Sequence, residues 1–94
     1  MKKPEILLKE YVRRLNESDL SNLHKWYGYS QSGGKAEIVN SFSNDREMDK
    51  WLSSAASANE LFDMIDFAGD YVRREYQWRN NERQERKNRK YNKH

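Results

Sequence analysis

Apolar residues recur along most of this chain at the three- and four-residue spacing of helices. In PEILLKEYVRRLN, Ile6, Leu7 or Leu8, Tyr11, Val12 and Leu15 share one face, and Pro4 suits a first helical position. The pattern predicts a helix over 4–16. Ser18 is a candidate N-cap for a second helix, with Leu20, Leu23 and Tyr27 on one face and Trp26 beside it. Gly28 suits the left-handed position just past that helix, with Tyr29 as an apolar contact behind it. Lys35 to Phe42 reads as a third helix, with Ala36, Ile38, Val39 and Phe42 apolar at helical spacing. Asn44 with Glu47 resembles a capping box before a fourth helix, whose Met48, Trp51, Leu52 and Ala55 face inward. Ser57 with Glu60 is a second capping signal, for a new helix or for a bend in one long helix. The strongest stripe comes last: Leu61, Met64, Ile65, Ala68, Tyr71, Val72 and Tyr76, widened by Phe67, Tyr71 and Trp78.

The apolar pattern stops after Trp78. The segment RNNERQERKNRKYNKH offers Glu82–Arg86 and Glu85–Arg89 pairs one helical turn apart, each worth a few tenths of a kcal/mol. It reads as a fraying helical extension. The expected organisation is a helical domain over 1–78 and a basic extension over 79–94, partly helical or disordered. A β-hairpin with WYGYS and AEIVNSF as strands competes with helices two and three. Ala36 and Glu37 break its strict alternation, so helices are preferred. The fold class is all-α: a small bundle of four or five helices ending in a long basic one.

Composition narrows the picture. The chain has 94 residues, 35% hydrophobic and 35% charged. Three Trp, six Tyr and three Phe supply large apolar areas that disordered chains lack. There is no cysteine, which rules out disulfides and thiolate metal sites and suits a reducing compartment. No apolar run approaches a membrane span. Lys2 and Lys3 precede a short charged amphipathic stretch, which is not the pattern of a secretion signal. The expected location is cytoplasmic, or the host cytosol if the chain is virus-encoded. Net charge is +3, distributed as +2 over 1–44, −5 over 45–70 and +6 over 71–94. An acidic waist and a basic end suggest an electrostatic partner.

Catalysis finds little support. His24 and His94 are the two histidines, and neither has a nearby nucleophile in sequence. Gly33-Gly34-Lys35 lacks the upstream glycine and following hydroxyl of a P-loop. Asp63, Asp66 and Asp70 share a helix face, which is usually a solvated face rather than a metal site; Asp70 is placed to pair with Arg74. No enzyme activity, cofactor or metal is expected.

The stretch GYSQSGGKAEIV holds three of the four glycines. Residues 19–43, DLSNLHKWYGYSQSGGKAEIVNSFS, run through Asp19-Leu20, Leu23, Gly28-Tyr29, Ser32-Gly33, Lys35, Ala36-Glu37-Ile38-Val39 and Phe42. In order and spacing this resembles the SAP-like helix–extended-loop–helix motif, over about a quarter of the chain. The resemblance implies binding of DNA, sometimes of RNA or other proteins, with phosphate contacts on the loop and the start of helix three, here Ser30, Ser32, Gly33, Gly34 and Lys35; Lys25 is the other basic residue within the motif and joins that surface. A helix N-terminus favours anions, and glycines allow close backbone approach. The chain departs from the motif at Ser41, where a basic residue is common, and at Tyr27 and Tyr29, where Leu is usual. Two lysines alone would bind weakly. Arg79, Arg83, Arg86, Lys87, Arg89 and Lys90 are the candidate second surface, with Arg73, Arg74 and Lys93 adding charge. Trp26, Tyr27 and Tyr29 are candidates for base stacking or for the core. The expected function is non-enzymatic nucleic-acid binding. The alternative is a small phage or mobile-element type interaction module that binds and inhibits a host protein or nucleoprotein complex. The wide apolar face of the last helix also permits a homodimer.

Overall fold

A computed structural model shows five helices: α1 Pro4–Arg14, α2 Glu17–Gly28, α3 Ser32–Ser43, α4 Arg46–Ser53 and α5 Ala58–Tyr91. It describes residues 2–28 and 32–91, and the side chains of these except Ser32 and 88–91. No strand occurs among the described residues, so the competing hairpin is replaced by α2 and α3. The fold is all-α, as the apolar spacing predicts. No described helix is long and apolar enough to cross a membrane.

The helix boundaries follow capping chemistry, with small shifts from the sequence reading. Asn16, not Ser18, caps α2: its Oδ1 accepts the Asp19 N–H at 2.7 Å. Asp45, not Asn44, caps α4, accepting the Met48 N–H at 3.0 Å. The other oxygen of Asp45 accepts from Arg14 at 3.1 Å, so one carboxylate starts α4 and ties it to the end of α1. A carboxylate serves both a helix dipole and a cation better than a neutral amide. The Ser57–Glu60 signal is realised and opens α5. The Glu60 N–H donates to Ser57 Oγ, while the Glu60 carboxylate accepts from Ala56 N–H. Gly28 is the last residue of α2, with no left-handed φ, rather than the residue beyond it. α3 begins three residues before Lys35, taking Ser32, Gly33 and Gly34 into its first turn. Glycine costs about 0.5–1 kcal/mol in a helix interior. In a first turn, tertiary packing overrides so weak a preference.

The core draws on all five helices: Leu7, Leu8, Tyr11 and Val12 from α1, Leu20 and Leu23 from α2, and Ile38 and Phe42 from α3. Met48 and Leu52 of α4 and Ile65, Ala68 and Val72 of α5 complete it. Each fully buried Leu, Ile or Val contributes about 1.5–3 kcal/mol. Tyr11 meets Phe42 edge to face at 5.3 Å, and its hydroxyl reaches the Ser41 carbonyl. Leu7 and Leu8 both point inward, which turns Ile6 outward; Ala36, Phe67 and Trp78 are also exposed, contrary to the apolar stripes that include them. α5 is the frame. Its 34 residues run about 51 Å and account for most of the 59 Å long dimension. It continues unbroken through Trp78, and Arg79 and Arg83 return to the body of the protein.

Candidate nucleic-acid interface

Two surfaces carry the residues singled out for phosphate contact. The first is the junction of α2 and α3. Ser30 and Tyr29 lie outside the described residues, and nothing is described of the Ser32 side chain. Lys25 is exposed near the end of α2. Gly33 is exposed with open space about it, whereas Gly34 is buried and so shielded from direct approach. Lys35 does not stand free. Its ammonium lies 4.6 Å from the centre of the Phe62 ring and 3.9 Å from a carboxylate oxygen of Asp66. Both partners belong to the acidic first half of α5. The Asp66 side chain is 63% exposed, so this pair is weak and solvent-screened.

The second surface is the basic half of α5, and its cations divide into two groups. Arg79 is structural. Its Nε donates to Glu75 at 2.8 Å, with both side chains largely buried. An Nη group donates to the carbonyls of Val12 and Arg13 at 3.4 and 3.3 Å. These carbonyls belong to the last turn of α1, where helix oxygens attract cations; that of Val12 also accepts from the Leu15 N–H. Arg83 pairs with Glu17 at the start of α2. Arg86 and Lys87 are exposed, and the expected Glu82–Arg86 pair does not form within 4.0 Å. The side chains of Arg89 and Lys90, and with them the Glu85–Arg89 pair, lie outside the description.

Helical periodicity relates the two surfaces. Phe62, beneath Lys35, and Lys87 are 25 residues apart, close to seven full turns of α5. Lys87 therefore projects from the side of α5 on which Lys35 rests, about 37 Å along the axis.

The aromatic residues take structural roles. The Tyr27 hydroxyl donates to the Ile65 carbonyl at 2.6 Å. Its ring sits against Gly69, where an added Cβ would lie 2.8 Å from Cε1. Burial pushes the Tyr27 hydroxyl far above its ordinary pKa, and the negative charge of Asp66 adds to the shift. Tyr27 thus fastens α2 to α5. Trp26 packs against the core. His24 stacks on Tyr76 at 3.9 Å between ring centres. Asp70 pairs with Arg73 rather than Arg74, and Arg74 lies over the Tyr71 ring instead.

Sequence reading missed one further surface, an open groove of about 980 Å³ between α1 and α5. Ile6, Tyr71 and Trp78 supply its apolar lining, and Lys9, Arg13 and Arg74 its basic groups. The available signal was Trp78 at the end of an apolar stripe whose inward positions Ile65, Ala68 and Val72 already filled. Comparison with protein-family models, with curated proteins and with solved structures finds no match to the chain.

Proposed function

We propose that the protein is a non-enzymatic nucleic-acid-binding protein that contacts phosphates with little base specificity. The observation that carries this reading is the cationic side of α5: Arg86 and Lys87 are exposed, and Lys87 shares its side of the helix with Lys35. Arg89 and Lys90 continue the basic run in sequence. The SAP-like resemblance of residues 19–43 supports the same reading, with Gly33, Lys25 and Lys35 as the second contact. Arg79 is largely buried in its contacts with Glu75 and α1 and offers little to this surface, whereas Arg83, more than half exposed in a solvent-screened pair with Glu17, stays part of it.

The two contacts lie about 37 Å apart, or about eleven nucleotide steps of 3.4 Å. A duplex long enough to reach both binds with a steeper salt dependence than one that reaches only the end of α5. Titration with DNA and RNA duplexes of about 6 and about 14 base pairs at two salt concentrations tests this. For each phosphate no longer neutralised, the slope of log K against log[salt] becomes shallower by about 0.9. Arg86→Gln with Lys87→Gln is expected to flatten the slope by about two such steps. Absence of binding at low salt sinks the reading. Recovery of one stoichiometric protein partner in its place supports the interaction-module alternative.

A further inference from the structure

We propose that a second copy of this chain covers the α1–α5 groove, forming a two-fold dimer through antiparallel α5 helices. Phe67, Tyr71, Arg74 and Trp78 follow one another at four-, three- and four-residue steps, the spacing of a coiled-coil seam. Phe67, Arg74 and Trp78 lie away from Ile65, Ala68 and Val72, the positions that α5 buries in its own core, and Tyr71 borders that core. Phe67 is 41% exposed, Trp78 58%, and Ile6, which lines the groove with Tyr71 and Trp78, 48%. Contiguous exposed aromatics of this kind mark an interface.

The seam is complementary to itself. In an antiparallel pairing that sets Tyr71 opposite the second copy's Arg74, the same register sets Phe67 opposite its Trp78. Arg74 already lies 5.8 Å from its own Tyr71 ring centre, so two cation–aromatic contacts meet at the two-fold axis. Charge on α1 agrees with this orientation. From Ala58 to Asp70, α5 carries Glu60, Asp63, Asp66 and Asp70 and no base. The groove beside its second half is lined by Lys9, Arg13, Arg74 and Arg79 against Glu5 and Glu75, a net positive set. Antiparallel pairing brings the acidic half of each helix toward Lys9 and Arg13 on the α1 of the other, while along α5 itself it sets Asp66 opposite Arg79 but Asp63 opposite Glu82 and Asp70 opposite Glu75. The same register places Glu60 opposite the second copy's Glu85, which closes the seam at both ends after about two heptads.

Sedimentation equilibrium on the full chain over roughly 1 µM to 1 mM tests the proposal. The expected result is a rise from the 11.4 kDa monomer toward twice that mass. Phe67→Ser and Trp78→Ser are each expected to raise the dimer dissociation constant about thirty-fold, the effect of losing an aromatic anchor. Both residues are exposed in the monomer, so an unchanged helical circular dichroism spectrum verifies that the fold persists. Glu85→Lys replaces a like-charge contact by an attractive one and is expected to tighten the dimer several-fold. A monomer at every concentration, or undiminished association in the Phe67→Ser/Trp78→Ser double variant, overturns the proposal and leaves the groove to a different chain.

Discussion

From Ala58 to Val72, α5 contributes Ile65, Ala68 and Val72 to the core, all fully covered, and Gly69 lets the Tyr27 ring approach its backbone. From Arg73 to Lys87 the helix buries no residue fully; Tyr76 packs against the core, and Arg79 and Arg83 reach α1 and α2 through charge. One helix is thus held by desolvated apolar surface along its first half and, along its second, by Tyr76 and the largely buried Arg79 at the end of α1. The contrast shows how a 34-residue helix with an apolar face on only half its length stays tied to a small bundle. It also explains why the second half keeps cations to spare. Arg79, largely buried, satisfies α1 carbonyls, and Arg86 and Lys87 stay exposed.

The comparison breaks most sharply at Ile65. Ile65→Ala is expected to cost about 2–5 kcal/mol, measured by urea unfolding, with little dependence on salt. Arg79→Met keeps most of the side chain's apolar volume but strands Glu75 and the Arg13 carbonyl, while the Val12 carbonyl keeps its bond from the Leu15 N–H. It is expected to cost about 1.5–3 kcal/mol and to loosen α1, seen as faster amide exchange at its C-terminal turn. A loss below about 0.5 kcal/mol would show that charge does not hold the second half.

Gly69→Ala sets two effects against each other. Alanine favours a helix by about 0.5–1 kcal/mol, but the new Cβ meets Tyr27, whose ring is held in the core and by its hydroxyl. Overpacking is expected to win, with a net loss of about 1–3 kcal/mol. Gly33→Ala meets open space and is expected to gain a few tenths to about 1 kcal/mol. Equal effects of the two substitutions would remove the special role of Gly69.

The smallest effect at neutral pH is also the most specific. Burial raises the Tyr27 hydroxyl above its ordinary value of 10.0, and Tyr11 shifts the same way through its own burial. Above pH 10 the unfolded chain releases these protons and the folded chain retains them. The stability each provides is therefore intact below pH 10 and falls as pH rises beyond it. The slope is about 1.4 kcal/mol per pH unit for each tyrosine. Tyr27→Phe is expected to make alkaline unfolding less steep.

Much of this architecture was legible in the residue pattern. The helix order, the inward residues of α4 and the Ser57–Glu60 start of α5 follow from spacing and capping chemistry that act within a few residues. The errors are instructive for the same reason. Asn16 and Asp45 displaced Ser18 and Asn44 because neighbouring polar residues compete for one cap. Ile6 turned outward because both Leu7 and Leu8 were buried. The candidate site was less legible. Sequence supplies the charge of Lys35, Arg79 and Arg83 but not what each meets, and those partners lie 31, 66 and 66 residues away. A glycine inside a helical stripe reads as a weak point, whereas Gly69 is the contact point for another helix.

The Tyr27–Gly69 contact has a consequence for uniqueness. Ile65, Ala68, Val72 and their neighbours form an apolar rail along which another helix could slide by a turn and still find hydrophobic cover. A tyrosine ring fits against this rail only where the Cβ is missing. One turn in either direction it meets Ile65 or Asp66, or Val72 or Arg73. The glycine acts as a notch and the tyrosine as a pin, and the hydroxyl on the Ile65 carbonyl seats it. A generic greasy surface thereby acquires one position along its length at which α2 locks.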